Sequence, residues 1–109
     1  MIKKRKTTGI PSLQSVKRLI LPILEQYPIR RAAVFGSVAM GTARSSSDVD
    51  VLLEFDRRST IGLFAFVRLK GQLEKKVGRK IDLVTYDALH PLLRKDILNQ
   101  QKIIYEKGR

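Results

Sequence analysis

The strongest constraint on the fold is an acidic, apolar segment at residues 48–56, which stands out in a basic chain. It holds four of the ten acidic residues and none of the 22 lysines and arginines. Its β-branched and aliphatic run, VDVLLEF at 49–55, predicts a strand. Because strand side chains alternate between faces, Asp48 and Asp50 should point the same way. Two such carboxylates repel each other, and a bound divalent cation would relieve that repulsion.

The sequence before this strand predicts a helix and a first strand. Apolar residues recur at three- and four-residue steps after Ser12, a suitable N-cap, and Pro28 should end the helix. Pro22 lies inside the pattern, so the helix should kink or restart there. Residues 32–35 form a short apolar run that stops at Gly36, which is typical of a buried strand. The expected buried face of the helix contains Leu13, Val16, Leu19, Ile20, Ile23 and Leu24.

A second helix and a third strand should follow the acidic segment. Thr60 can cap a helix that runs to about residue 77, with Gly78 as its C-terminal glycine. Residues 80–86 (KIDLVTY) predict the strand. The expected buried face of this helix contains Ile61, Phe64, Val67, Leu69 and Leu73.

The end of the chain predicts one more helix. Asp87 can cap a helical segment that runs to about residue 100 and is interrupted near Pro91, and residues 103–105 (IIY) should form a short edge strand or a helix end. The resulting order predicts an α/β (α+β) sheet with helices packed on it. We expect a basic, flexible tail at residues 1–11 and a single domain at 12–109.

Composition narrows the chemistry. The chain has no cysteine and one histidine, His90, which excludes cysteine-ligated and multi-histidine metal sites. A bound metal would therefore be held by carboxylates, which favours magnesium or manganese. No apolar stretch approaches the roughly 20 residues of a membrane span, so we expect no membrane partner and a cytoplasmic location. The net charge of +12 fits either a basic surface or affinity for a polyanion.

The loop before the acids has the composition of a phosphate-binding turn. Gly36 and Ser37 follow a strand, where α/β folds bind ligands, and Gly41 adds a second flexible point. The hydroxyl of Ser37 and nearby amides can donate hydrogen bonds to phosphate oxygens. If the third strand neighbours the second, Asp82 can complete a cluster of three carboxylates.

The segment GSVAMGTARSSSDVD resembles the conserved motif of the polymerase-β-like nucleotidyltransferases. The short chain is similar to the minimal nucleotidyltransferases, or MNT proteins, over about residues 13–105. This resemblance implies a nucleotidyltransferase fold with a small mixed sheet. It also implies a magnesium-dependent enzyme, often paired with a HEPN-domain toxin, that acts as an antitoxin by moving AMP from ATP to a tyrosine of that toxin.

The resemblance also implies roles for individual residues. Gly36 and Ser37 would hold the triphosphate, with Gly41 in the same loop. Asp48 and Asp50 would ligate two magnesium ions, and Asp82 would ligate one of them and help to activate the acceptor hydroxyl. All three aspartates would thus be catalytic and metal-binding.

One position departs from the family pattern. The family loop often reads Gly-Ser-x-Ala-Arg-Gly, and here Met40 occupies the arginine position. Arg44 lies nearby and would be the nucleotide-binding cation in its place. The departure leaves open an antitoxin of weak activity that acts by binding only.

Other readings also stay open at this stage. A small nucleic-acid-binding protein would explain the charge but not the three aspartates, so nucleic acid is not expected as the main partner. The sequence leaves a homo-oligomer open. Tyr86 and Tyr105 are expected at the edge of the core rather than as stacking platforms, and His90 on the surface or in packing. Glu54 and Asp56 receive no role.

Overall fold

The computed structural model describes residues 9–59 and 61–107, which form a mixed four-stranded sheet with helices on both faces. Thr60, the predicted helix cap, and residues 1–8 of the predicted tail lie outside the described residues. In chain order the elements are α1 (Leu13–Leu24), β1 (Ile29–Phe35), α2 (Gly36–Met40), β2 (Val49–Phe55), α3 (Leu63–Val77), β3 (Ile81–Thr85), a 3-10 turn (Tyr86–Ala88), α4 (Pro91–Gln100) and β4 (Lys102–Glu106).

The strand order is β3-β2-β1-β4. Strand β1 pairs antiparallel with both β2 and β4, whereas β2 and β3 run parallel. The parallel pair requires a crossover, and α3 supplies it. The predicted small mixed sheet is therefore confirmed, and residues 102–106 form the edge strand that the sequence left open.

One face of the sheet carries most of the core. Alternate residues of β2, namely Val49, Val51 and Leu53, are fully buried there. Helices α1 and α3 cover this face with their own apolar stripes. The buried residues of these two helices are Val16, Ile20, Leu24, Leu69, Leu73 and Val77.

Helix α1 follows the sequence prediction closely. Ser12 is its N-cap and accepts a hydrogen bond from the Ser15 amide. The helix is continuous through Pro22, so it does not restart there, and it ends at Leu24, before Pro28. At the C-terminal end of α3, Gly78 has a φ of 79° and donates its amide to the Glu74 carbonyl, as its predicted role requires.

The predicted buried face of α3 was wrong at Phe64 and Val67, and Ile61 lies before the helix. Phe64 is 84% exposed and Val67 is 57% exposed. The helix begins only at Leu63, and the side that packs on the core runs through Phe66, Leu69 and Leu73. At roughly 100° per residue, Phe64 lies about 200° around the helix from Phe66.

The second face of the sheet is more open. Ala33 and Leu52 are buried there together with Tyr86 and Leu89. Helix α4 packs Ile97 and Leu98 against this cluster, but none of its described residues is buried. Across the described part of the chain, no helix is long and apolar enough to cross a membrane.

Candidate active site

The pairing of β2 with β3 brings two of the predicted acids together. Asp50 and Asp82 are direct register partners in the parallel pair, on strands that lie about 4.8 Å apart in a typical sheet. Asp50 alternates with Val49 and Val51, so its side chain lies on the second, more open face. Asp48 precedes the strand by one residue and is exposed. The site thus lies where β2 and β3 begin.

Asp50 is the most perturbed of the acids. Burial raises the pKa of its carboxyl to about 6 from the ordinary 3.8, and the negative charges of Asp82 and then Asp48 add to this effect. The direction follows from physics, because both desolvation and like charges disfavour the ionised form. Both neighbours are therefore close enough for their charges to act on Asp50.

The donor set fits a hard divalent cation, since all three groups offer carboxylate oxygens. A cation would also offset the repulsion that raises the pKa of Asp50. Among residues 9–59 and 61–107, however, no three acidic, histidine or cysteine side chains form a ready-made ligand shell. Asp48 and Asp82 are both exposed, so their side chains have room to turn toward a shared ion.

Gly36 lies directly against Asp50. In the antiparallel pairing, Phe35 is the register partner of Asp50, which brings the next residue to the carboxylate. A Cβ on Gly36 would overlap the Asp50 Oδ2 atom, and the φ of 73° also disfavours any L side chain. Glycine is therefore required here by the carboxylate as well as by the backbone turn.

The predicted nucleotide loop forms a short helix and a turn. Ser37 is half-buried in α2, and its carbonyl accepts the Thr42 amide at 2.9 Å. Gly41 closes α2 with a φ of 76°. Arg44 is exposed, and its amide donates to the Ser47 hydroxyl at 2.8 Å. Met40 is 58% exposed at the position where the family pattern has arginine.

Two residues that the sequence analysis did not single out hold the site's backbone. The Arg79 guanidinium donates to the carbonyls of Gly9, Ser45 and Ser47. The Glu74 carboxylate accepts the Ile81 amide at 2.9 Å, next to Asp82. That bond, followed by one from Lys70, holds the pKa of the Glu74 carboxyl below its ordinary value. The Arg79 contacts join segments that are more than 30 positions apart, so no local pattern indicates them.

The remaining polar candidates have structural partners. Glu54 pairs with Arg30 at 3.2 Å, and Asp56 pairs with Lys107 at 2.9 Å. The Tyr86 hydroxyl donates to Gln101 at 2.6 Å, and burial raises the pKa of this phenol. His90 is exposed and caps α4, because its Nδ1 accepts the Leu92 amide. Tyr105 packs at the edge of the core.

Comparison with known proteins identifies the family. Residues 19–109 match the sequence model described as polymerase beta, nucleotidyltransferase. The chain belongs to this nucleotidyltransferase family. The resemblance that its motif indicated is thereby confirmed, as is its classification as an enzyme.

Individual relatives agree with this assignment. A Methanocaldococcus jannaschii protein, named as a candidate protein adenylyltransferase, is 40% identical over 82% of this chain and 94% of its own length. The protein adenylyltransferase MntA of Thermococcus cleftensis is 34% identical over 70% of this chain and 75% of its own length.

Solved structures share the fold of this nucleotidyltransferase. One described as a candidate minimal nucleotidyltransferase has a TM-score of 0.68 and 36% identity, and covers 83% of this chain and 90% of its own. Another is from a Shewanella oneidensis complex of a tri-AMPylated HEPN toxin with an MNT antitoxin. It has a TM-score of 0.65 and 19% identity over 86% of this chain and 72% of its own, a likeness of fold alone.

Proposed function

We propose that this nucleotidyltransferase is a magnesium-dependent protein adenylyltransferase that moves AMP from ATP to a tyrosine of a cognate HEPN toxin. In this role it acts as the antitoxin of the pair. The observation that carries the proposal is the placement of Asp50 beside Asp82, with Asp48 adjacent and Gly36 against the Asp50 carboxylate. The names of the relatives support a protein as the acceptor.

The proposed metal ligands are Asp48, Asp50 and Asp82, which would hold two magnesium ions. When bound, magnesium neutralises triphosphate charge and stabilises the charge that develops during phosphoryl transfer. The chain's own contribution is to place these carboxylates on adjoining strands and at the loop between β1 and β2. The partly desolvated position of Asp50 strengthens its attraction to a cation, because charges interact more strongly away from water.

The proposed triphosphate site is the turn at residues 36–44. Gly36 keeps the backbone free of a side chain beside the carboxylates, and Ser37 offers its hydroxyl and amide to phosphate oxygens. Gly41 lets the chain turn back after α2. Arg44 follows on the exposed side of the same turn and supplies the cation that Met40 lacks.

In the proposed reaction the hydroxyl oxygen of the acceptor tyrosine forms a bond to the α-phosphorus of ATP. The bond from that phosphorus to the oxygen bridging to the β-phosphate breaks, and pyrophosphate leaves. Asp82 takes the tyrosine proton, since it is an exposed carboxylate next to Asp50. The product is an AMP ester of the tyrosine.

Intact-mass spectrometry of the partner tests this proposal. The HEPN-domain protein encoded beside this chain is incubated with the chain, ATP and Mg²⁺, and should gain mass in steps of one AMP. Asp48→Asn and Ser37→Ala should each abolish the gain, while both variants should still bind the partner. Peptide mapping should place the AMP on tyrosine. A folded, bound partner that gains no mass would contradict the proposal.

The alternative function is an antitoxin that neutralises its partner by contact alone. The exposed Met40, at the position of the family's arginine, is the observation that favours it. Neutralisation would then need no ATP, and Asp48→Asn would leave it intact. Restoring the family residue with Met40→Arg separates the two functions, because only an adenylyltransferase would gain activity from it.

A further inference from the structure

We propose that Arg79 is a positioning residue for the nucleotidyltransferase site. Its guanidinium holds the loop that presents Asp48 next to Asp50 and Asp82. This inference rests on the proposed function for its effect on catalysis. The loop geometry that it explains can be measured without any transfer reaction.

Arg79 lies in the turn between α3 and β3, directly before Lys80. Its Nη1 donates to the Ser45 carbonyl and, at 3.3 Å, to the Ser47 carbonyl. Its Nη2 donates to the Gly9 carbonyl. One side chain thus joins three segments: the chain before α1, the loop before β2 and the turn before β3.

Arg79 holds the residue before Asp48, and a second hydrogen bond holds the residue after it. Ser47 directly precedes Asp48, and the Val49 amide, which follows it, donates to the Lys80 carbonyl at 3.0 Å. The residues that flank Asp48 are therefore tied to the two consecutive residues 79 and 80. Because Asp82 follows two residues after Lys80, as the second residue of β3, this arrangement fixes the backbone at Asp48 relative to that at Asp82.

The loop itself is a tight turn closed by its own hydrogen bonds. The Ser47 amide donates to the Arg44 carbonyl at 3.0 Å, and the Arg44 amide donates to the Ser47 hydroxyl at 2.8 Å. These bonds close residues 44–47 on themselves. The Arg79 guanidinium then attaches the closed turn to the sheet. Arg44, the proposed nucleotide-binding cation, belongs to the same turn.

Arginine suits this position because its planar guanidinium presents several donors in a fixed fork. That fork reaches carbonyls in two different segments at once. A lysine ammonium is a single point of charge on a flexible stem, so Arg79→Lys should hold the turn only in part. Residues that orient a metal ligand typically change metal affinity by about 10–100-fold when they are removed.

The test compares Arg79→Met with Lys80→Met, which removes the same charge from the adjacent position. Amide hydrogen exchange is measured on the partner-free protein without nucleotide. The Arg44 and Ser47 amides should exchange faster in Arg79→Met, at intermediate rates in Arg79→Lys and at wild-type rates in Lys80→Met. Circular dichroism and thermal melting establish that each variant is folded. Should Arg79→Met fail to fold, Arg79→Lys carries the comparison.

The second measurement is Mn²⁺ affinity in the presence of ATP. Arg79→Met should weaken it by about 10-fold or more, whereas Lys80→Met should stay near the wild type. In transfer assays, Arg79→Met should raise the KM for metal-bound ATP more than it lowers kcat. Equal amide exchange, or equal Mn²⁺ affinity, in the two methionine variants would overturn the inference. A wild-type chain that binds Mn²⁺ and ATP but adds no AMP to its partner would instead contradict only the proposed function.

Discussion

On one face of strand β2, Val49, Val51 and Leu53 are fully buried beneath α1 and α3. On the other face, Asp50 and Glu54 remain partly exposed on either side of the buried Leu52. The same seven residues therefore contribute to the core and to the candidate site through alternate positions. Changes on the first face should act on the free energy of unfolding, and changes on the second face should act mainly on binding and chemistry.

The largest loss of stability is expected from Leu53→Ala. Leu53 is fully buried, so the truncation removes apolar contacts and leaves a cavity. Such changes typically lower the free energy of unfolding by about 2–5 kcal/mol. Chemical denaturation measures the loss, and Mn²⁺ affinity of the folded fraction should stay unchanged. A loss below about 1 kcal/mol would mean that this face is not the main source of stability.

Gly36→Ala should affect both the stability of the fold and the candidate site. A positive φ costs a non-glycine residue about 1–3 kcal/mol, and the new methyl group would also displace the Asp50 carboxylate. We therefore expect reduced thermal stability together with loss of nucleotide transfer. Gly41→Ala is the matched control, because its φ is also positive but a Cβ there meets no neighbouring atom. Equal losses of Mn²⁺ affinity in both variants would contradict a special role for the contact with Asp50.

Asp50→Asn should abolish transfer while leaving the metal-free protein as stable as the wild type or more stable. The folded state raises the pKa of Asp50 to about 6, so ionisation of this group opposes folding. The stability that protonated Asp50 contributes is fully present below pH 3.8 and is lost as the pH rises through about 6. The advantage of the variant in melting temperature should therefore grow over this range in EDTA. A large destabilisation at pH 7 would instead identify Asp50 as a structural residue.

Glu74→Gln should have the smallest effect, at most about 1 kcal/mol, because glutamine can still accept the Ile81 amide and the lost ion pair with Lys70 is partly exposed. The pKa of Glu74 is lowered in the folded protein, so its ionised form stabilises the fold above pH 4.5. That contribution is lost as the pH falls through the folded-state pKa. The variant should consequently lose less stability on acidification than the wild type. Glu25→Gln serves as an exposed glutamate control, and identical acid profiles of the two variants would contradict the expectation.

Local sequence patterns were sufficient to predict most elements of the fold. The bounds of β2 at residues 49–55 agree with the prediction, since a continuous apolar run between polar loops has few alternatives. The buried face of α3 was misassigned because both Phe64 and Phe66 are apolar and only the packed sheet selects one of them. The choice between the two residues depends on tertiary packing, which local sequence patterns do not show.

The candidate site could be predicted less completely. The motif indicated Asp48, Asp50 and the loop at Gly36, but not the contact between Gly36 and the Asp50 carboxylate. That contact arises from the register of β1 on β2, in which Phe35 faces Asp50. The contacts of Arg79 join residues up to 70 positions apart, so they depend on the finished fold rather than on neighbouring residues.

The position of β4 has a consequence for how this chain folds. Strand β1 is central in the sheet, yet one of its edges is completed only by backbone pairing with β4, in which Arg31 lies opposite Glu106, 75 positions away. A partly folded chain that has formed β1, β2 and β3 would leave this central strand with a row of unpaired amides and carbonyls. Such an open edge can recruit strands from other molecules, so slow arrival of residues 102–106 would favour aggregation over folding.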